Sequence, residues 1–160
     1  MSTVEQAAAI RYAPATPDDV DELVRIAVAI NAETPYHLLV EPNVERMHEM
    51  IGKLVELPDT YVQIAQLESG EVCGCIAAHA YPSFVSGQLC VGELFWWVSP
   101  EFRVGLGFSS PGFRLLRGLE QWAREIGAQW LQLTASTPEL ERAYEAMGFT
   151  KVESDFQKKL

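Results

Sequence analysis

The chain has 160 residues, of which 48% are hydrophobic and 21% are charged, and its formal net charge at pH 7 is −10. This length and apolar content fit one compact domain with a single sizeable core, so we expect one domain over residues 1–160 with a flexible terminus over residues 1–8. The acidic balance argues against a nucleic-acid partner, because non-specific binding to nucleic acid needs a basic surface.

The N-terminus, Met1 to Glu5, does not have the charged-then-apolar pattern of a signal segment. No apolar run of about 18 residues, the length needed to span a bilayer, occurs anywhere in the sequence. We therefore expect a cytoplasmic protein that does not bind membranes.

The first part of the chain predicts a strand and two helices. Ile10–Ala13 is typical of a strand. Thr16 and Pro17 then supply an N-cap and a first-turn proline, and apolar residues recur from Val20 at helical spacing. A second helix is predicted from about Val44 to Leu57, after a loop over Glu33–His37.

A hairpin is predicted next. Tyr61–Leu67 and Val72–Ala80 are β-rich runs joined by Ser69-Gly70. Cys73 and Cys75 alternate onto one face of the second strand, and the chain's three cysteines are not clustered with histidine. This pattern favours reduced thiols over a disulfide, and we expect no metal site.

The most informative segment starts with a buried strand over Leu89–Val98, closed by Ser99-Pro100. Arg103 and a loop containing Gly105 and Gly107 follow it, and a helix starts near Ser110, Pro111 and Gly112. A strand, a glycine loop and a helix start together offer unpaired amides and a positive dipole end, which suit a phosphate group. The same residues could equally form an ordinary turn, and the segment alone favours neither interpretation.

The C-terminal part predicts further alternation of helices and strands. The helix from Gly112 to about Ala128 precedes a strand over Trp130–Thr134. A short helix containing Tyr144 then begins at Thr137-Pro138 and ends at a glycine. Two terminal strands are predicted over Phe149–Val152 and Phe156–Leu160.

Three segments together resemble the GNAT superfamily of acyl-CoA-dependent N-acyltransferases: Val98-Ser99-Pro100-Glu101-Phe102-Arg103, the Gly112 helix, and Glu141-Arg142-Ala143-Tyr144-Glu145-Ala146-Met147-Gly148-Phe149. The resemblance covers most of the chain. It implies an α/β (α+β) fold with a mixed, mostly antiparallel sheet of about seven strands and four helices, packed in layers in the order β-α-α-β-β-β-α-β-α-β-β. It also implies that the cofactor's pantetheine arm sits where the fourth and fifth strands part.

The resemblance implies acetyl-CoA as co-substrate. Backbone groups of Trp96, Trp97 and Val98 would hold the pantetheine arm and the thioester, so side-chain identity should matter little there. The pyrophosphate would lie on Arg103, Gly105, Gly107, Ser110 and Gly112, although the loop after Arg103 is longer than the family pattern or reshaped. Thr137 stands where many relatives have an asparagine that contacts pantetheine.

Acyl transfer also needs proton donors and acceptors. Tyr144 matches the family tyrosine that is taken to protonate the CoA sulfur; the alternative is a core tyrosine packed beside Leu140. Glu93 is the only carboxylate of the fourth strand, and burial would raise its pKa toward that of a useful base. Simple alternation puts Glu93 on one face with Phe95 and Trp97, and one β-bulge would reverse that face.

The acceptor amine would lie between two loops, with Tyr36, His37, His79 and Tyr81 as candidate substrate-binding residues. His79 and His37 are also alternative bases, and an enzyme without a dedicated base stays open. We expect a small-molecule or peptide amine as acceptor, with a homodimer as one assembly open to the chain. Two alternatives remain: a GNAT-fold interaction module that binds acyl-CoA weakly or not at all, and a binder of another phosphate ligand.

Overall fold

The computed structural model describes residues 10–103 and 109–160. The strands are β1 (Arg11–Pro14), β2 (Thr60–Gln66), β3 (Val72–Pro82), β4 (Leu89–Val98) and β5 (Trp130–Gln132). The helices are α1 (Val20–Glu33), α2 (Val44–Leu54), α3 (Pro111–Glu125) and α4 (Pro138–Ala146). Short 3-10 turns cover Pro17–Asp19, Pro35–Leu38 and Pro100–Phe102.

The five strands form one sheet in the order β1-β2-β3-β4-β5. The first four are antiparallel to their neighbours, and β5 runs parallel to β4. A parallel neighbour needs a crossover connection, and α3 supplies it between β4 and β5. The predicted mixed, mostly antiparallel sheet is confirmed.

Helices cover both faces of this sheet. Alternate strand residues face α1 and α2 on one side, where Leu23, Ile26, Ile64 and Cys75 pack together. The intervening residues face α3 on the other side, and its buried stripe includes Leu115, Leu116 and Leu119. The period of two along each strand and the period near 3.6 along each helix produce this layering.

Helix caps account for several boundaries. The Thr16 hydroxyl and backbone N–H both donate to Asp19 Oδ2, at 2.9 and 2.7 Å, so the predicted helix start opens as a 3-10 turn before α1. Asn43 caps α2, which ends at Leu54 rather than at Leu57. No helix within the described residues is long and apolar enough to cross a membrane.

The three cysteines, Cys73, Cys75 and Cys90, are buried and free. Burial raises the pKa of the Cys75 thiol to about 12, so this thiol stays protonated and unreactive at neutral pH. Within residues 10–103 and 109–160, no three His, Cys, Asp or Glu side chains are grouped closely enough to hold a metal ion.

The predicted terminal strands are wrong, and the described sheet has five strands rather than about seven. Phe149–Val152 and Phe156–Leu160 have no regular secondary structure, and every residue from Lys151 to Leu160 is exposed. Most side chains of this segment are polar or charged, so pairing it with β5 would order the backbone without burying much apolar surface.

Candidate active site

A β-bulge lies in the middle of β4. Ala78 of β3 pairs with Glu93 and Ala77 pairs with Phe95, so Leu94 is an inserted residue without a partner of its own. Ala78 belongs to the core under α3, whereas Phe95 packs into the core under α1 and α2. Glu93 therefore lies on the α3 side, and the face assigned to it by simple alternation is wrong because the inserted residue reverses the pattern.

Strands β4 and β5 part immediately beyond this point. Within the described residues they pair from Cys90 with Trp130 to Gly92 with Gln132, and the pairing ends there. The backbone N–H of Thr134 then donates to Glu93 Oε2 at 3.1 Å. A side-chain carboxylate thus takes the place of the next strand-to-strand hydrogen bond, which explains why β5 is shorter than the predicted Trp130–Thr134.

The second half of β4 has an edge that β5 does not cover. Ser99 N–H donates to the Cys73 carbonyl on β3 at 2.8 Å, so alternation directs the backbone groups of Trp96 and Val98 to the opposite edge. The Trp97 backbone instead faces β3, where it pairs with Cys75. The opening between this edge of β4 and the residues that follow β5 is a cleft. Of the three residues predicted to hold pantetheine through their backbone, Trp96 and Val98 thus line the cleft edge and Trp97 does not.

Tyr144 closes the cleft from α4. Its side chain is buried, its hydroxyl donates to the Thr134 carbonyl at 3.3 Å, and its ring is stacked with that of Trp96 at 6.1 Å between centroids. Thr134 thus accepts a hydrogen bond from Tyr144 and donates one to Glu93. The structure brings the two predicted catalytic side chains to one residue at the point where the strands part.

The electrostatics of this pair suit proton chemistry. Burial raises the pKa of Tyr144, and the nearby charge of Glu93 raises it further. Burial also raises the pKa of Glu93, against the opposing effect of the Thr134 N–H. The phenol therefore remains a hydrogen-bond donor throughout the neutral range, and the carboxylate is a stronger base than free glutamate.

The other end of the cleft is formed by the start of α3. Ser110 is its N-cap, and the Ser110 Oγ accepts the Phe113 N–H at 3.3 Å. Gly112 faces Trp96, because a Cβ placed on Gly112 would lie 3.4 Å from the indole Cζ2. The predicted Gly105 and Gly107 lie outside the described residues.

Arg103 does not point to this helix start. Its Nε donates to the Val98 carbonyl at 2.7 Å, and its NH2 group forms an ion pair with Glu33 at 2.6 Å. The guanidinium also lies 5.9 Å from the Trp97 ring centroid. In this arrangement the Arg103 guanidinium connects β4 to α1 through these hydrogen bonds. Its predicted contact with pyrophosphate would therefore require the side chain to rearrange.

Thr137 is the N-cap of α4, and its Oγ1 accepts the Leu140 N–H at 3.3 Å. A hydroxyl committed to a helix cap has limited capacity for a second ligand. Its predicted contact with pantetheine would have to use the remaining donor of that hydroxyl.

A large cavity of about 1310 Å³ opens from the cleft. Its walls are residues 130–136, part of α4, the 3-10 turn with Tyr36, and the terminal segment from Phe149 to Asp155 with Gln157. Phe149 is held by its N–H, which donates to the Tyr144 carbonyl at 3.0 Å, and by its ring, which lies 5.9 Å from that of Tyr144. Further along the segment, Lys151 pairs with Glu141 at 2.8 Å and Gln157 Nε2 donates to the Tyr36 hydroxyl at 3.5 Å. Of the predicted substrate-binding residues, Tyr36 lines the cavity.

The other three lie outside its wall. The Tyr81 hydroxyl donates to Gln132 Oε1 at 3.1 Å, so Tyr81 contacts a residue of the cavity wall without lining the cavity itself. His79 is stacked on Tyr81 at 4.8 Å between ring centroids. His37 is exposed, and its Nδ1 lies 2.5 Å from the Thr34 carbonyl.

Sequence reasoning missed three positions of the candidate site. Thr134 acts through its backbone, so its side chain carries no signal. Gln132 and Trp130 reach the cavity wall because β5 is an edge strand in the described sheet, which only the sheet order reveals. The sequence predicts the segment that contains all three only as a strand.

Residues 29–149 match the family model described as the Acetyltransferase (GNAT) family. The chain belongs to the GNAT acetyltransferase family. The predicted family and enzyme class, a GNAT-type N-acetyltransferase, are thereby confirmed. No curated protein matches the chain in sequence.

Solved structures of other acetyltransferases share the fold. An acetyltransferase from Trypanosoma brucei superimposes with a TM-score of 0.72 at 16% identity, covering 94% of this chain and 99% of that one. A ribosomal-protein-alanine N-acetyltransferase from Brucella melitensis biovar Abortus gives 0.69 at 17%, covering 95% and 99%. An aminoglycoside acetyltransferase from an uncultured soil metagenomic sample, in complex with sisomicin, gives 0.68 at 14%, covering 96% and 97%. At these identities the likeness concerns the fold alone.

Proposed function

We propose that this GNAT protein transfers an acetyl group from acetyl-CoA to a primary amine of a small molecule or peptide. One observation carries the proposal: β4 and β5 part at Glu93, and Glu93 and Tyr144 both bind Thr134 at that point. A proton acceptor and a proton donor thus flank an opening beside a strand edge with unpaired backbone groups.

In this proposal the pantetheine arm lies along the free edge of β4. The backbone groups of Trp96 and the N–H of Val98 pair with its amides, as they would with a neighbouring strand. The pyrophosphate lies at the start of α3, where the helix dipole and the Gly112 amide favour an anion. An acidic protein can hold a polyanion in this way because local dipoles, rather than the overall field, make the contact.

The chemical step needs no covalent enzyme intermediate. The amine nitrogen attacks the thioester carbonyl carbon, a C–N bond forms, and the C–S bond breaks. Glu93 takes the proton that the amine loses, directly or through one water molecule. Tyr144 donates a hydrogen bond to the sulfur as its negative charge develops.

The raised pKa of Tyr144 refines its role. A thiol has a pKa of about 8.5. Full proton transfer to the CoA thiolate would therefore be uphill from a phenol whose pKa lies above its ordinary value of about 10. Tyr144 therefore acts chiefly by hydrogen bonding to the departing sulfur in the transition state. The final proton on the thiol comes from the amine by way of Glu93 or solvent.

The cavity supports an acceptor with more than one positive charge. Its wall carries the carboxylates of Glu141, Glu145, Glu153 and Asp155, with Lys151 as the opposing cation. Lys151 neutralises Glu141 alone, so the remaining carboxylates favour additional ammonium groups on the acceptor. Aromatic rings from Tyr36 and Trp130 provide further cation-binding surfaces.

The first test is release of free CoA thiol from acetyl-CoA in the presence of a panel of amines. We expect turnover with diamines, polyamines or aminoglycosides, and lower kcat/KM for monoamines and for a peptide with one free amino group. The selectivity for polycations should decrease as salt rises, because screening weakens charge recognition. Equal kcat/KM across the panel would contradict the assigned acceptor class and leave the reaction type standing.

A second candidate is a GNAT-fold protein that binds acyl-CoA weakly and serves as an interaction module. It is favoured by the engagement of nearby cations: Arg103 pairs with Glu33, Arg117 with Glu120, and Arg114 lies over the Tyr12 ring. A thermal shift separates the two. Acetyl-CoA at 100 times its Kd stabilises an acyl-CoA-binding enzyme by about 2.7 kcal/mol, whereas an unchanged melting temperature favours the module.

A further inference from the structure

Two adjacent tryptophans of β4 differ in how their indole N–H groups are satisfied. The Trp97 indole Nε1 donates to Glu33 Oε1 at 3.4 Å on the α1 side of the sheet. The Trp96 Nε1 is buried and has no hydrogen-bond partner within the described part of the chain. A buried donor without a partner costs free energy in a folded protein, so such a group calls for a functional explanation.

The position of Trp96 supplies one. Its ring is nearly parallel to that of Tyr144, with 16° between the planes, and its six-membered ring lies against Gly112. A Cβ on Gly112 would be 3.4 Å from Cζ2 and 3.9 Å from Cε2, the carbon bonded to Nε1. The indole thus occupies the space between the residue proposed to meet the CoA sulfur and the helix start proposed to meet the pyrophosphate.

The part of CoA that connects sulfur to pyrophosphate is the pantetheine arm. This arm contains two secondary amides, and each has a carbonyl oxygen that accepts hydrogen bonds. A single N–H donor located between the two ends of the cofactor site is therefore matched to an amide carbonyl. An indole nitrogen is a donor only, so it cannot serve the amide N–H groups of the arm.

We propose that the Trp96 indole N–H donates a hydrogen bond to an amide carbonyl oxygen of the pantetheine arm when acyl-CoA binds. The proposal rests on the acetyl-CoA-dependent function proposed above. Because Nε1 is buried, the ring must tilt or the cleft must widen slightly as the arm enters, and Gly112 has no side chain to oppose that movement. Side-chain identity at Trp96 then matters, in contrast to the sequence-based expectation that only backbone groups act there.

The adjacent tryptophans provide a matched pair of variants. Trp96→Phe removes the indole N–H and keeps an aromatic ring between Gly112 and Tyr144, whereas Trp97→Phe makes the same change on the opposite face. We expect Trp96→Phe to weaken acetyl-CoA binding by about 3- to 10-fold, as for the loss of one neutral hydrogen bond, and Trp97→Phe to change it by less than about 2-fold. Calorimetry gives both dissociation constants. Equal affinities in the two variants would overturn the proposal.

A measurement on the wild-type protein does not depend on how the variants fold. The chain has four tryptophans, so ¹⁵N-labelled protein gives four indole signals, and the one missing in Trp96→Phe belongs to Trp96. We expect that signal to move downfield, as for a new hydrogen bond, on addition of acetyl-CoA and on addition of pantetheine alone. Adenosine 3′,5′-bisphosphate should leave it in place.

The outcomes separate the two levels of inference. Binding of acetyl-CoA without a shift of the Trp96 signal overturns the hydrogen bond and leaves the proposed function standing. A shift caused by adenosine 3′,5′-bisphosphate alone would assign the donor to the nucleotide end and overturn the pantetheine assignment. Wild-type protein that binds no acetyl-CoA in calorimetry overturns the proposed function, and this inference with it.

Discussion

The two halves of β4 have different surroundings. Leu89–Gly92 is paired on both edges, with β3 on one side and with β5 and the preceding Gln129 on the other. Val91, within this half, is fully buried. Glu93–Val98 is paired with β3 on one edge, and its other edge borders the cleft. The first half therefore stabilises the sheet, and the second half offers unpaired groups to a ligand.

The bulge at Leu94 marks the boundary between these halves. A regular strand would keep Glu93 on the face with Phe95 and Trp97, away from Tyr144. The inserted residue turns Glu93 toward the α3 side, where its carboxylate reaches the Thr134 N–H. One extra residue thus changes a structural strand into the edge of a candidate active site, as bulges in other sheets do.

The largest expected effect tests the second half. Tyr144→Phe should lower kcat by about 10²- to 10³-fold with little change in KM for acetyl-CoA, because the hydroxyl donates its hydrogen bond mainly in the transition state. Steady-state kinetics gives both constants. The matched control is Tyr61→Phe, which removes a hydroxyl bonded to Gln63 on β2, away from the cleft. A Tyr144→Phe enzyme with unchanged kcat would make this side chain structural.

The second prediction concerns the base. Wild-type kcat/KM should rise with pH through a group that titrates above free glutamate, because burial raises the pKa of Glu93. Glu93→Gln should abolish that limb and lower kcat/KM by about 10²-fold at the top of it, with acetyl-CoA affinity preserved. A pH profile of kcat/KM for both proteins provides the test. A limb that survives in the variant would exclude Glu93 as the base.

Much of this comparison could be predicted from the sequence. The bounds of β4 agree with the predicted Leu89–Val98, because a continuous apolar run ends at Ser99-Pro100 and proline cannot donate to the ladder. The placement of Tyr144 on a short helix followed from the Thr137-Pro138 cap and the glycine at position 148. These signals are local, and local signals determine where elements begin and end.

The remaining features depend on partners distant in the chain. The bulge is defined by the register of β4 against β3, and the commitment of Arg103 depends on Glu33, which lies 70 residues earlier. The sequence predicts two terminal strands from strand-like runs, but Val152 and Phe156 stay exposed in the described structure. Such a run identifies residues that can form a strand, whereas a strand also needs a free sheet edge and enough buried apolar surface to offset the entropy cost of ordering it.

A third prediction examines the helix end of the cleft. Gly112→Val should raise the Kd for acetyl-CoA by at least about 10-fold, since its branched side chain would press on Trp96 beside the proposed phosphate site. Gly112→Ala is the control, because a Cβ at 3.4 Å makes ordinary van der Waals contact, and its Kd should change by less than about 3-fold. Calorimetry measures both. Similar affinity for the two variants would remove Gly112 from the cofactor site.

The fourth prediction concerns the effect of Glu93 on stability. Its folded-state pKa is raised above the unfolded value, so its favourable contribution is present below the unfolded pKa and is lost as pH rises through the folded pKa. Each unit of that shift is worth about 1.4 kcal/mol. Glu93→Gln should therefore gain stability relative to wild type between pH 4 and pH 8, as measured by urea unfolding. A constant difference over this range would show that the carboxylate ionises freely in the cleft.

The smallest expected effect on catalysis comes from the paired half. Val91 is fully buried in the core under α3, so Val91→Ala should lower the free energy of unfolding by about 2 kcal/mol through lost apolar contact and a residual cavity. Its kcat and KM should stay within about 2-fold of wild type at temperatures where it remains folded. Urea unfolding and steady-state kinetics on the same preparation measure the two properties. Glu93→Gln has the opposite profile, with lost activity and no loss of stability. If Val91→Ala instead reduced kcat as strongly as Glu93→Gln, the two halves of β4 would be energetically coupled and the division at Leu94 would not hold.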